Sequence, residues 1–505
     1  MLTTILLRIN ILVSHTDNRC QHNQLHQIKM NSIYVNKHCR RLCLAVSLVF
    51  SLSVAAQRDF STIHTGVNAA DAKIIEHGIK NVELPKDVAR TRGNGFDDDN
   101  KDHGESWFGY EYYRYTYPSI NAKGEPVTLT ALAAMPKNNK ATINNVILGC
   151  HITITDNAST PSEYITKGSI KSDVAMLTMH AQEKTPSKLA YTCLVILPDY
   201  QGYGISRNDA HPYLAQEITA RQSVDALRYG IELYKTSNKN RAKIRDNWKT
   251  ICVGYSQGGS VAMACQKFME TNFLDTDLHL GGSVCGDGPY DPFATLRTYI
   301  TEDKVYMPVA LPLIIKGMLD YNPYMRRHDM SDYFNERFLN TGIVEWIEKK
   351  EIATDEIQKK LKSIYTFQKD NKGEYIKVSE IFNPDAFDFM SKKMKGEPTE
   401  KNPKFDDLYT AISVNDLTEG WKPKYPIYLF HSRVDEVVPI GNAESAYQKM
   451  RTDANPNIIK YTYLSKGSHV DNGSSFYFSF WAKSYEEKGV DAIAGGEETW
   501  NKFNP

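Results

Sequence analysis

Three residues of this chain have the types and the order that nucleophilic chemistry at a carbonyl needs. Ser256 lies in Gly254-Tyr255-Ser256-Gln257-Gly258, a Gly-x-Ser-x-Gly pattern. Glycines two residues either side let a sharp strand-to-helix turn close around an exposed serine. Apolar Ile251-Cys252-Val253 before it reads as a strand, and Val261 to Met269 after it as a helix, which is the context that turn requires. A serine hydroxyl is a poor nucleophile without a base, and the base needs an acid to orient it. Asp435 follows the strand-like Ile427 to Phe430, and His469 follows Ile458 to Leu464. Serine, then acid, then histidine is the chain order of one such fold. In a chain with 14 His, any one of these could be an ordinary loop residue. Their joint position, each just after a strand and in that order, favours a site in which Ser256 attacks, His469 is the base and Asp435 orients it. Glu436 is an alternative acid beside Asp435.

A negative oxygen formed on the attacked carbonyl needs N–H donors. The Gln257 N–H is the first candidate. The second is expected from Cys150-His151-Ile152-Thr153, at Ile152 or Thr153, because this loop follows the strand Val146 to Gly149. His151, Tyr200 and Tyr255 are expected to line the substrate pocket, with the rest of Asp199-Tyr200-Gln201-Gly202-Tyr203-Gly204. The structural alternative for that stretch is a turn.

These residues need a frame. Trp107 to Tyr117 and Val127 to Met135 read as an antiparallel opening pair. Asn145 to Cys150 and Thr192 to Leu197 are continuous apolar runs, the mark of strands covered on both faces in a parallel sheet. Ala215 to Tyr234 places Ala220, Val224, Leu227, Ile231 and Tyr234 on one helical face. Alternation of strands and helices predicts an α/β fold with a mostly parallel central sheet flanked by helices. After Asp287-Gly288-Pro289-Tyr290-Asp291 the alternation stops. Residues 292–420 read as a helical cap or lid inserted into a core made of residues 57–291 and 421–505. Within the insert, Ser391 to Phe405 is loop-like. The bland alternative is an accessory subdomain with no gating role. Residues 58–105 read as an irregular, partly helical lead-in, and a final helix is expected over Ser475 to Lys488.

Residues 1–56 read as a signal region. Lys37-His38-Cys39-Arg40-Arg41 precedes the apolar Leu42 to Leu52, with cleavage expected after Ala56. Residues 1–29 resemble an over-extended start before Met30, and an uncleaved anchor is the alternative. The expected location is secreted or periplasmic. Lys+Arg 60 against Asp+Glu 60 in 505 residues leaves a formal net charge of +0, so nothing in the balance points to nucleic acid. Cleavage would leave Cys150, Cys193, Cys252, Cys265 and Cys285, an odd number without a C-x-x-C pair, and no disulfide framework or metal site is expected. Asp97 to Glu105 superficially suggests a calcium loop, but its glycine is misplaced and a solvated turn is the reading.

Together, Pro198 to Gly204, Gly254 to Gly259, the large insert after Asp291, Asp435-x-x-Val438-Pro439 and Gly467-Ser468-His469 resemble the secretory lipase/esterase branch of the α/β-hydrolases, of lipase A type, over roughly residues 105–490. The resemblance implies an α/β-hydrolase fold, hydrolysis of carboxylic esters through an acyl-enzyme, a helical lid and no cofactor. It departs from the branch at Ile152 and at Ser432, where glycine is usual. Two rivals differ in class. The same machinery could cut amides, in which case acidic residues such as Asp199 or Asp287 would hold a free amine; or the chain could be a non-catalytic binding protein. The expected partner is a small-molecule or lipid ester.

Overall fold

A computed structural model describes residues 67–83, 107–137, 142–164, 173–181, 192–237, 242–452, 455 and 458–486. The signal region, the acidic loop at 97–105 and the end of the final helix lie outside the described residues.

Among the described residues, nine strands build the main sheet: β1 (Lys73–Glu83), β2 (Trp107–Ile120), β3 (Pro126–Met135), β4 (Thr142–Cys150), β5 (Thr192–Pro198), β6 (Thr250–Tyr255), β7 (Leu280–Gly286), β8 (Ile427–Ser432) and β9 (Ile459–Leu464). A two-residue strand, Lys243–Ile244, adds to β4. Their spatial order is β1-β2-β3-β5-β4-β6-β7-β8-β9. The first three are antiparallel to their neighbours, and β5 through β9 run parallel. The continuous apolar strands are the buried parallel ones, as expected: all of β5 and β6 is shielded from solvent.

Both faces of the sheet are covered. Ile251, Val253 and Tyr255 of β6 belong to a core with α1 (Asp173–Thr178) and the last helix, through Val174, Phe476 and Phe480. The other face carries α2 (Gln216–Ser237), where a side chain on Gly230 would strike Ile196 of β5. The five apolar positions expected on α2 are all buried. Arg221 and Arg228 are buried as well, 3.9 and 3.6 Å from Asp225, which also accepts from Ser119 Oγ.

Strand β1 is a correction. The lead-in contains an 11-residue edge strand, paired from Lys73↔Thr116 to Glu83↔Trp107. Ile75 and Ile79 remain exposed, and the pairing rests on the backbone ladder with polar contacts of Glu76 to Tyr112 and Arg114, which leaves no burial pattern to read.

The insert forms a helical layer with its own core. It contains α4 (Pro292–Glu302), α5 (Ala310–Tyr321), α6 (Ile343–Lys349), α7 (Thr354–Ile364), α8 (Pro384–Lys395) and α9 (Pro403–Ser413), following α3 (Gln257–Thr271) of the sheet. Phe334, Phe338, Ile357, Leu361, Phe382 and Phe405 pack together there. Three of these helices start on Asx-Pro. Asp291, Asn383 and Asn402 each accept a main-chain N–H of the following turn, and the proline supplies a ready helical φ. This places helix at 391–395 and 403–405, where a loop is expected. After α10 (Gly441–Met450), the last helix, α11, spans His469–Glu486 and begins six residues earlier than expected. Ser468 explains the start, since its Oγ accepts the Asp471 N–H at 3.2 Å and donates to the Asp471 carboxylate at 2.7 Å. Among the described residues no helix is long and apolar enough to cross a membrane.

Candidate active site

Ser256 sits at the tip of the β6–α3 turn with φ 56° and ψ −125°, a backbone state that costs on the order of 1–3 kcal/mol for a residue with a side chain. The two glycines make it possible. A Cβ on Gly254 would lie 2.2 Å from the Gly258 carbonyl oxygen, and one on Gly258 would lie 2.1 Å from that of Cys150. The turn is thus closed by backbone against backbone, and neither partner can yield cheaply.

Ser256 Oγ lies 2.9 Å from His469 Nε2, and His469 Nδ1 lies 2.6 Å from Asp435 Oδ2. The second Asp435 oxygen accepts the N–H groups of Val437 and Val438 at 2.8 and 2.7 Å. Three loops at the carboxyl ends of β6, β8 and β9 therefore converge. Glu436 meets the base differently: its carboxylate accepts the His469 main-chain N–H at 3.1 Å. Burial pushes the His469 imidazole below its ordinary value, opposed by whatever negative charge the neighbouring acids Asp287 and Glu436 carry. Burial pushes the Asp435 carboxyl up to about 7, against the main-chain N–H groups that favour its ionised form. Asp287, Asp435 and His469 bring donor atoms within 4.8 Å of one another. Both ring nitrogens of His469 already hold partners, so the trio reads as a hydrogen-bond cluster and not as a metal centre.

Of the expected oxyanion donors, Ile152 is a correction. Its N–H donates to Asp173 Oδ2 at 2.8 Å, so it is engaged already. Thr153 lies on the cavity wall with Ser256. Its N–H and that of Gln257 find no acceptor among the described residues. For Gln257 the reason is general, because the first N–H groups of a helix lack an intrahelical partner. The Thr153 hydroxyl is 2.8 Å from Tyr213 Oη. The Gln257 side chain donates to Nε2 of His211, whose Nδ1 meets the Gln201 carbonyl.

A cavity of about 510 Å³ opens over Ser256. Thr153, Met176, Tyr255 and Tyr477 line its core side; Tyr306, Met307, Thr354 and Gln358 from the helical layer line the other. Tyr255 is where the sequence puts it. His151 and Tyr200 are not on this wall and correct the expectation. Both are buried, with rings stacked 4.0 Å apart. The Asp199–Gly204 stretch is a brace under the 151–154 loop. Tyr203 Oη donates to the Ile154 carbonyl at 2.5 Å, and Asp199 takes Thr130 Oγ and the Ser162 N–H. Gly204, at φ 59°, passes so close to Thr130 that a Cβ would lie 1.9 Å from its hydroxyl.

The layer is tied to the loops it covers. Tyr299 Oη of α4 donates to the Val437 carbonyl at 2.6 Å, and Thr155 Oγ donates to that of Ile352 at 2.7 Å. Sequence reading missed Asp173, Tyr213 and Tyr299, which carry no motif. Asp287 was noticed only as a possible amine holder. Its place directly after β7, in the loop next to the one that carries Asp435 after β8, is the signal that points to it. Cys150, Cys193, Cys252, Cys265 and Cys285 are all buried.

No protein-family model matches the chain. Over 252 residues, half of this chain, it is 22% identical to a secreted triacylglycerol lipase of Malassezia furfur, and the match spans 54% of that lipase's length. Among solved structures, a hydrolase of Legionella pneumophila superposes over 82% of this chain and 98% of its own with a TM-score of 0.61 at 19% identity. The rice cell wall degrading esterase LipA of Xanthomonas oryzae superposes over 80% of this chain and 94% of its own, TM-score 0.59, at 20% identity. The fold is that of the α/β-hydrolases, as the sequence resemblance implied.

Proposed function

We propose that this chain, an α/β-hydrolase by fold, is a serine hydrolase that cleaves carboxylic esters through an acyl-enzyme on Ser256. The observation that carries the reading is the unbroken hydrogen-bond chain from Ser256 through His469 to Asp435, set on a strained turn that opens into a cavity. His469 Nε2 takes the Ser256 proton as Oγ bonds to the ester carbonyl carbon. The carbonyl oxygen becomes an oxyanion facing the N–H groups of Gln257 and Thr153. His469 returns the proton to the leaving alcohol as the C–O bond breaks, and water then repeats the sequence to free the acid. Asp435 keeps the Nδ1 proton in place and stabilises the imidazolium. The helical layer would act as a cap over the acyl or alcohol portion. The lipase and esterase named among the similar proteins support an ester over other acyl substrates. The secreted Malassezia lipase and the Lys37 to Ala56 pattern support secretion with cleavage before Gln57.

For amide cleavage, Asp355, Glu374 and Glu436 line the cavity, but the two acids first offered to hold a free amine do not. Asp199 and Asp287 are turned into buried hydrogen bonds and do not line the cavity. The test is a p-nitrophenyl ester series from acetyl to palmitoyl beside matched p-nitroanilides, with Ser256→Ala in parallel. Ester turnover that vanishes in the variant supports the proposal, and turnover confined to anilides would replace it.

A further inference from the structure

Tyr255, the residue before the attacking serine, makes two contacts through one hydroxyl. Its oxygen touches Asp287 Oδ2, and it lies 2.6 Å from the main-chain carbonyl of His469. A phenol has one hydrogen to give, while an ionised carboxylate and a carbonyl can only accept. If Asp287 is ionised, one of these two buried contacts sets lone pair against lone pair. An unmade hydrogen bond is expensive where no water can replace it.

The count closes if the proton sits on Asp287. Oδ2–H then donates to Tyr255 Oη, and the Tyr255 hydroxyl donates to the His469 carbonyl. Asp287 Oδ1 accepts the Ser432 N–H at 3.0 Å. Every member of the chain is satisfied. The surroundings act in both directions: burial and Asp435 favour the acid form, whereas positive charge on His431 or His469 would favour the carboxylate, so the hydrogen-bond count decides. On β8, His431 uses Nε2 toward the Val438 carbonyl at 2.7 Å, and its Nδ1 stands 3.7 Å from Asp287 Oδ1 with no hydrogen-bond partner among the described residues. On the next loop stands the carboxylate of Asp435, with Glu436 beyond it, and on α11 stands His469 itself. A proton on His431 would relieve Oδ1 but would leave the Tyr255 count open.

Resting on the hydrolase reading above, we propose that Asp287 is a neutral, proton-carrying carboxyl that positions the base, fixing the main chain of His469 beside Ser256 through Tyr255. Asp287 is fully buried, and burial pushes its carboxyl up to about 6, helped by the nearby charge of Asp435. A hydroxyl donated by Tyr255 would favour the carboxylate. Donation in the opposite direction favours the acid and lifts it further. The consequence is that Asp287 acts on His469 through geometry and not through charge. Elbow and base, brought together from β6 and α11, are clamped by one relay.

The first measurement needs no turnover. In the infrared difference between the parent and Asp287→Asn near neutral pH, the parent shows the carbonyl band of a protonated carboxyl, shifted in D2O, and the variant lacks it. This holds or fails whether or not the protein is an esterase. In kinetics on p-nitrophenyl esters, Asp287→Ala and Tyr255→Phe each lower kcat by ~10- to 100-fold with little change in KM, the scale of a misplaced reacting group. Asp287→Asn, which keeps a donor and an acceptor, recovers most of the alanine loss, and the acid limb of its kcat/KM profile stays where the parent has it. Absence of the band overturns the proposal. So does an acid limb that moves down by ~1 pH unit in Asp287→Asn, since only removal of a negative charge destabilises the imidazolium in that way.

Discussion

Replacing Asp435 with asparagine separates orientation of the base from folding. The perturbation is almost isosteric, and the surrounding loop dictates how the amide must sit. Asp435 Oδ1 accepts two main-chain N–H groups, from Val437 and Val438, at 2.8 and 2.7 Å. Only the amide oxygen can occupy that place, because an NH2 there would face two donors. The NH2 is therefore forced toward His469 Nδ1, 2.6 Å from the present Oδ2. His469 must then accept at Nδ1 and carry its hydrogen on Nε2, which faces Ser256 Oγ at 2.9 Å. The tautomer is wrong for a base. A loss of ~10⁴ in kcat is expected for such a switch, or about 5.4 kcal/mol of transition-state stabilisation at 1.36 kcal/mol per decade. Stability should barely change, because the loop bonds survive and burial already penalises the ionised carboxyl. The assay is steady-state kcat/KM on the preferred p-nitrophenyl ester, with thermal unfolding alongside. Activity within ~10-fold of the parent, in a folded variant, would refute the reasoning and pass the acid's role to Glu436 or Asp287.

Other expectations follow from the same geometry. Gly258→Ala sets a Cβ 2.1 Å from the Cys150 carbonyl oxygen and should cost at least about 3 kcal/mol. Gly441→Ala meets nothing closer than 3.6 Å, at Ala294, and should stay within about 0.5 kcal/mol in the same urea titration. The acid limb of kcat/KM should fall below the ordinary histidine value of about 6.5, because burial lowers the His469 pKa and the base works only when neutral; a limb above that value would contradict the assignment. Burial lowers His180 and His211 to about 3. Unfolded histidines bind protons from about pH 6.5 downward, so each of these contributes stability that is whole above that pH and lost as pH falls toward 3, on the order of 4 kcal/mol apiece. Urea midpoints flat between pH 7 and 4 would refute this.

Much of the fold is legible because its signals are local. The parallel strands announce themselves as unbroken apolar runs, since both of their faces are buried. Ser256, Asp435 and His469 can be nominated because each lies in the turn or loop that follows a strand. Strand β1 is not legible, because Ile75 and Ile79 are exposed and its partners on β2 are met by the backbone ladder and by polar side chains such as Glu76. The Asp199–Gly204 stretch misleads for a related reason. Its aromatic and glycine residues suit a pocket wall as well as a brace, and only the contacts of Tyr203 with Ile154 and of Gly204 with Thr130 distinguish the two. Which N–H of the 151–153 loop is free depends on Asp173, 21 residues from Ile152 in sequence across a tertiary contact. The start of α11 was within reach, because Ser468-x-x-Asp471 is a helix-opening pattern.

The central claim is that Ser256 carries the acyl group. Mass spectrometry of the protein quenched during turnover of a slowly hydrolysed p-nitrophenyl ester tests it most directly. The account predicts the acyl mass on the peptide holding Gly254 to Gly259, on Ser256, and its absence from Ser256→Ala. An adduct on another residue, or turnover that continues undiminished in Ser256→Ala, would contradict it.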